Sequence, residues 1–270
     1  MRWLLLLLAL AAPWPATAQA ETALARADAP GYTDLADLVL ASPVIVRATV
    51  TRAPRLSRRL APDVPPGEAR HLVEARLVSL IKGEGLAPAG AAWLWQGPAG
   101  AAPGRGTELL AFLVPAEGGR PEVRPYRLVA ATGQLPHSAA LEARVRAILA
   151  EARAPGGVPR VTGVRSGFHV PGTVAGESES QFFLSAASGG PFTLLVLRRP
   201  GAEPEVKVAT GDLIDESAAP VAPETLLWRT LACDLPVTLP AALAGDAGLA
   251  RDWEAARRAI GACGRTAPAG

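Results

Sequence analysis

The chain has 270 residues, of which 49% are hydrophobic and 19% charged, and its formal net charge is +2. This composition argues against a disordered chain, because it supplies enough apolar side chains for one large or two ordinary cores. The small net charge argues against a dedicated nucleic-acid binder, and the 27 Gly and 26 Pro residues favour short elements over long helical bundles.

The first twenty residues have the three parts of a secretory signal peptide. Arg2 gives a positive start, an apolar stretch runs from Leu4 to Ala12, and the small residues Ala18 and Ala20 stand at a cleavage site. Because this stretch is about half as long as a spanning helix, we predict that residues 1–20 are removed and leave no permanent membrane anchor. The excess of Arg over Lys and the absence of Asn are typical of a GC-rich bacterial genome, so we expect a periplasmic or secreted protein.

The mature chain is predicted to be mainly β with a few helices, in two domains. After a flexible lead-in at residues 21–32, residues 33–153 are expected to form a small OB-like β-barrel with a C-terminal helix capped by Ser138. Thr33 is expected to cap a first short helix that ends at Pro43. Strands are predicted at 44–51, 71–81, 92–96, 108–114 and 122–129, and residues 154–159 form a Pro- and Gly-rich linker.

Three segments of this first half resemble the netrin-like modules of secreted proteins. They are Asp37–Val50, Val78–Gly83 and Leu109–Leu113, which match a strand after a short helix, a second strand ending in a Lys-Gly turn, and a late strand that closes the barrel. The resemblance covers residues 33–115. It implies an OB-type barrel that acts by binding or inhibition more than by catalysis.

Residues 160–264 are predicted to form a β-sandwich-like domain closed by a C-terminal helix, followed by a tail at 265–270. Strands are expected at 160–170, 179–185, 192–199 and 205–208, with a hairpin turn at 187–190. Residues 225–232 fit either a strand or a helix. We favour the strand, because Pro223 and Pro236 confine the segment to a short length.

The two cysteines, Cys233 and Cys263, are predicted to form a structural disulfide, because an exported protein meets an oxidising environment. A redox or nucleophilic cysteine would need a C-x-x-C pair or a nearby His, and neither is present. Cys263 continues the stripe of Leu249, Trp253 and Ile260 on a helix that Asp246 opens. The disulfide is therefore expected to link the last helix to the segment around Cys233.

Motifs of the common enzyme classes are missing or stand in the wrong context, so whether the chain is an enzyme stays open. Neither Lys follows the P-loop pattern, and the absence of Asn removes several catalytic signatures. Ser79 and Lys82 fit S-x-x-K, but they end a predicted strand instead of starting a helix. We predict no cofactor and no metal site.

The three histidines, His71, His137 and His169, are expected to be ordinary surface or turn residues. Two alternatives remain for His169. It could join Ser166 and an acid in the site of a secreted hydrolase, or it could join Glu177 and Glu179 around a hard cation.

A binding surface is the remaining functional candidate. Arg55, Arg58 and Arg59 lie in a Pro-rich segment that is predicted to be an exposed loop without a core to join, and guanidinium groups pair well with phosphate and carboxylate. Trp93 and Trp95 share one face of a strand, where they could form a ligand platform or pack into the barrel. We expect a non-enzymatic module that binds an envelope protein or an anionic surface polymer, with a structural or assembly role in the envelope as a further alternative.

Overall fold

The computed structural model describes residues 30–84, 90–118, 124–154, 160–187, 192–210 and 218–266. The predicted signal peptide, most of the lead-in and linker, and hairpin-turn residues 188–190 lie outside these ranges. The chain from Gly31 onward forms one compact unit. Within the described residues the elements are α1 (Tyr32–Ala41), β1 (Val44–Arg52), β2 (Glu68–Lys82), β3 (Ala91–Pro98), β4 (Glu108–Pro115), β5 (Arg124–Leu128), β6 (Gln134–Pro136), α2 (Ala139–Arg153), β7 (Val161–Pro171), β8 (Ser178–Ala186), β9 (Phe192–Arg198), β10 (Glu205–Ala209), β11 (Ala219–Pro220), α3 (Leu226–Asp234), α4 (Ala241–Ala244) and α5 (Ala247–Ile260).

The first five strands close into a barrel. Their order is β1-β2-β3-β5-β4, β4 pairs back to β1, and β6 adds to β4. The β3–β5 contact is parallel and the other contacts are antiparallel. The prediction of a small β-barrel within a mainly β fold is confirmed.

Alternation along β1 and β4 gives the barrel two apolar cores. Val46 and Ala111 point into the barrel, whereas Ile45 and Phe112 point outward and pack against α1 and α2. Ser138 caps α2 as predicted, because its hydroxyl accepts a hydrogen bond from the Leu141 N–H at 3.1 Å. The helices therefore cover the outer face of β1 and β4.

The second region has one sheet where the predicted sandwich has two, and helices form its other layer. Strands β7 to β11 form a single antiparallel sheet in chain order, and its core packs against α3 and α5. Asp246 caps α5 as predicted, accepting hydrogen bonds from the N–H groups of Gly248 (2.8 Å) and Leu249 (3.0 Å). Helices thus take the place of the second sheet, because their apolar stripes already bury the inner face of the first.

The favoured strand at 225–232 is wrong, and the rival helix is correct. Thr225 begins α3, because its hydroxyl accepts a hydrogen bond from the Trp228 N–H at 3.1 Å. Leu226 belongs to the core beneath α1 and α2, whereas Leu231 belongs to the core of the second sheet. One helix therefore contributes to both regions.

The last described residues return to α1. The sulfur atoms of Cys233 and Cys263 are 2.17 Å apart, which places the predicted pair at disulfide distance. Helix α5 ends at Ile260, so Cys263 follows the helix instead of lying on it. We call residues 261–266 the C-terminal clasp; it includes two residues of the predicted tail.

In the ranges that the structure describes, no helix has both the length and the apolar character that a bilayer-spanning segment requires.

Candidate binding surface

The loop between β1 and β2 is anchored along the barrel. The Leu56 N–H donates to the Arg70 carbonyl at 2.8 Å, and the Leu72 N–H donates to the Pro54 carbonyl at 3.0 Å. The first part of the loop therefore runs beside β2 and has a fixed backbone.

The second part of the loop forms a turn with buried side chains. The Ala61 N–H donates to the Ser57 carbonyl at 3.0 Å, and Ala61 and Val64 are 3% and 7% exposed. The expectation that this loop has no core to join is wrong, because these two side chains pack under the turn. Their burial fixes the turn, and with it the backbone that carries the exposed arginines.

A groove of about 290 Å³ lies between this loop and the start of β2. We call it the arginine groove; it is lined by Arg55, Leu56, Ser57, Arg58, Ala61, Val64, Glu68, Ala69 and Arg70. The buried lining residues Ala61, Val64 and Ala69 are apolar, and three of the other lining residues are arginines. This combination suits a ligand that places a small apolar part in the groove and an anionic group beside the arginines.

One wall of the groove is a chain of polar contacts. Arg70 donates to both carboxylate oxygens of Asp63 at 3.0 and 2.8 Å and to the Gln96 side-chain oxygen at 2.6 Å. The Gln96 amide donates in turn to Glu68 at 2.6 Å. The hydrogen bonds from Arg70 lower the pKa of Asp63. Arg70 is therefore committed to protein partners.

The other arginines of the loop are available for a ligand. Arg55, Arg58 and Arg59 are exposed, as predicted. Arg58 donates to the Val64 carbonyl at 3.2 Å, and this single contact leaves most of its N–H groups to solvent. Arg55 and Arg59 make no side-chain hydrogen bond or ion pair with another described residue. These three cations therefore keep most of their N–H groups for a ligand, and Arg55 and Arg58 also line the groove.

The two tryptophans do not form an exposed platform together. Trp93 is 1% exposed and lies in the barrel core, where its indole N–H donates to the Gln134 side-chain oxygen at 2.7 Å. Trp95 is half-buried and its ring contacts His71 at a centroid distance of 6.0 Å. We therefore remove Trp93 from the candidate binding surface, because a ligand cannot reach it.

The structure brings His169 together with a serine and an acid, but not with Ser166. His169 Nδ1 lies 2.9 Å from Ser180 Oγ, and that hydroxyl donates to Asp252 at 2.6 Å. Arg198 donates to the other Asp252 oxygen at 2.5 Å. Ser166 stands three positions before His169 on β7 and faces the other side of the sheet.

This cluster has the wrong order for a catalytic triad. A serine nucleophile must be exposed and must give its proton to a histidine that an acid orients. Ser180 is fully buried, gives its proton to Asp252, and stands between the histidine and the acid. The contacts form a buried network that joins β7, β8 and β9 to α5.

The other two histidines have protein partners. His71 is 8% exposed in β2, and its Nδ1 lies 2.9 Å from the Ala53 carbonyl. His137 Nε2 lies 2.9 Å from Glu142. His71 is buried, so the expectation of a surface or turn position is wrong for it, whereas His169 lies partly buried within β7. No group of three or more His, Cys, Asp or Glu residues in the described part of the chain is arranged to hold a metal ion.

Sequence reasoning missed the groove and the partners of His169. Ala61 and Val64 carry no periodic signal, since a turn buries them. Ser180 could have been found, because β7 and β8 form a hairpin in which His169 and Ser180 are directly paired. Asp252 lies 72 residues from Ser180, and only the packing of α5 on the sheet brings them together.

Neither the protein-family models nor the curated proteins contain a match to this sequence. The resemblance to netrin-like modules therefore stays a prediction.

Proposed function

We propose that this chain is an exported, non-enzymatic binding module that recognises an anionic part of another envelope component through the arginine groove. The ligand is either an anionic surface polymer or an acidic segment of an envelope protein. The observation that carries the proposal is the pair of exposed arginines Arg55 and Arg58 that line the groove, with exposed Arg59 beside them on the same anchored loop.

The physical argument rests on preorganisation. A guanidinium fork pairs with carboxylate or phosphate through two parallel hydrogen bonds, and a fixed backbone lowers the entropy that binding must remove. Asp63 and Glu68, the acids beside the groove, are already hydrogen-bonded to Arg70 and Gln96. They therefore compete less strongly with a ligand for Arg55 and Arg58.

The proposed export of the protein determines which classes of partner it would meet. The disulfide-distance pair Cys233–Cys263 fits a protein of an oxidising, non-cytoplasmic compartment. Together with the signal-like residues 1–20, it supports a periplasmic or secreted location. A binding module in that location would meet anionic polymers and envelope proteins.

Crosslinking in cells followed by affinity capture tests the proposal. The double variant R55Q/R58Q removes two groove cations, whereas R165Q removes one exposed cation from β7 and serves as the control. Wild type and R165Q should recover the same envelope component, and R55Q/R58Q should recover at least tenfold less. Equal recovery by all three proteins, or no recovery above background, contradicts the proposal.

Titration of the purified protein with oligogalacturonate and with an acidic peptide separates the two partner classes. Binding that weakens with salt and with R55Q/R58Q identifies the class, because ion pairs at an exposed groove are screened. An unchanged affinity in R55Q/R58Q for both probes would place the binding site elsewhere.

A further inference from the structure

The C-terminal clasp covers a polar face of α1. The Thr33 hydroxyl donates to the Cys263 carbonyl at 2.5 Å, and the Thr266 N–H lies 3.1 Å from each Asp34 carboxylate oxygen. Arg265 donates to Asp37 at 2.8 Å. Thr33 and Asp34 are only 2% and 7% exposed. The clasp thus engages the first two turns of α1.

The path of the clasp depends on the disulfide. Gly261 and Gly264, on either side of Cys263, have φ angles of 86° and 65°, a region that glycine adopts without strain. Such a segment turns easily, so its position depends on its contacts with α1 and on the disulfide. Cys233 supplies the fixed point, because it lies in α3, whose Leu226 and Leu231 pack into the cores of the two regions.

The cores themselves do not depend on the clasp. Among the described residues, the apolar clusters of the barrel and of the second sheet include Ile260, just before the clasp, but no residue of the clasp itself. Asp37 also keeps a second ion pair, with Arg229 of α3, that involves no clasp residue. Release of the clasp would therefore leave both cores packed.

We propose that Cys233–Cys263 is a redox-sensitive latch: a dithiol opens the C-terminal clasp and exposes the polar face of α1 while both cores stay folded. Both cysteine residues are half-buried, so the bond lies near the surface and a small dithiol can reach it when the clasp opens briefly. One thiolate of the dithiol attacks a cysteine sulfur and breaks the S–S bond, giving a mixed disulfide. The second thiol of the reagent then attacks the mixed disulfide and releases the remaining cysteine as a thiol. The dithiol is thereby oxidised to a disulfide and the protein gains two thiols, with two electrons and two protons transferred.

Hydrogen–deuterium exchange of the full mature chain, with and without dithiothreitol, tests this proposal. Reduction should increase exchange by at least tenfold in residues 261–266 and in the first turns of α1. Amides of β1, β4, β8 and β9 should keep their protection. A uniform loss of protection across all strands, or no change in the clasp, would overturn the proposal.

A variant that weakens the clasp without touching a sulfur makes the test independent of the cysteines. Asp34→Asn should weaken the contacts with Thr266 and speed reduction by dithiothreitol several-fold, because the clasp then opens more often. Glu254→Gln, at an exposed position of α5, is the control and should leave the rate unchanged. Equal reduction rates for wild type and D34N would contradict the latch, since they would show that the clasp does not protect the bond.

Discussion

The barrel and the second sheet differ in their edge strands: the barrel is closed, whereas the second sheet is open. Strands β1 to β5 pair around a closed ring, so backbone hydrogen bonds complete the barrel without help from another element. The second sheet ends at β7 and β11, and one of its faces relies on helices. Closure therefore gives the barrel an interior core that needs no helix, although α1 and α2 cover part of its outer face. The core of the second sheet depends on what holds α5 in place.

The two interiors also differ in their polar contacts: the barrel interior has a neutral hydrogen bond, whereas the second region buries a charged group. The barrel interior holds an apolar cluster with one indole–amide hydrogen bond from Trp93 to Gln134. The second region buries the carboxylate of Asp252, which is 0% exposed and joins α5 to Ser180 and Arg198. A buried charge is costly unless it is paired, so this network should fix the docking of α5 more than it adds to stability.

The largest effect should come from Asp252→Asn. It removes the charge while keeping the shape, and it leaves Arg198 without its counterion. We expect the free energy of unfolding to fall by about 3–5 kcal/mol, measured by urea denaturation. Glu205→Gln, which breaks a partly exposed pair with Lys207 in the same sheet, is the control and should cause no measurable change.

Acid should abolish the difference between wild type and D252N. Burial raises the pKa of Asp252, but the hydrogen bond from Ser180 and the ion pair with Arg198 outweigh it and hold the pKa below its ordinary value. The stabilisation is therefore fully present above the unfolded-state pKa of about 4 and is lost as pH falls through the lower folded-state pKa. A difference that stays constant from pH 7 to well below pH 4 would contradict this account.

Removal of the disulfide should have the next largest effect. Cys233 and Cys263 are separated by 30 residues, and the chain-entropy model gives such a loop about 3–4 kcal/mol. C233S/C263S should lose about this much free energy of unfolding, with reduced wild type as the matched comparison. A loss below about 1 kcal/mol would show that the reduced, unfolded chain gains little freedom.

A smaller effect is expected at the contact between α1 and α3. Asp37→Asn weakens the pairs with Arg229 and Arg265, which are partly exposed, so the free energy of unfolding should fall by about 1 kcal/mol. Asp63→Asn, which breaks a more exposed pair at the groove, is the control for loss of a carboxylate. If both variants unfold at the same urea concentration as wild type, Asp37 does not stabilise the contact between α1 and α3.

Sequence patterns located the elements that have a local signal. Strand alternation and the caps Ser138 and Asp246 predicted the barrel strands and two helices close to their observed bounds. At 225–232 the flanking prolines favour a short strand over the helix alternative, whereas the Thr225 cap seen in the structure starts a helix. Short β6 and β11 form by pairing with neighbouring strands, so their own residues carry little signal.

The candidate site was only partly predictable for a similar reason. Exposed charge in the β1–β2 loop could be read from Arg55, Arg58 and Arg59. The groove arises because a turn buries Ala61 and Val64, and the partners of His169 come from β8 and α5. Such contacts depend on packing between distant segments, which composition and periodicity do not specify.

Intact-mass spectrometry of the native protein tests the export proposal most directly, because both the disulfide and the class of partner depend on it. The account predicts a chain that begins at Glu21 and has a mass about 2 Da below that of the dithiol form, because one disulfide removes two hydrogens. A native product that keeps Met1 and has both cysteines as free thiols would contradict it.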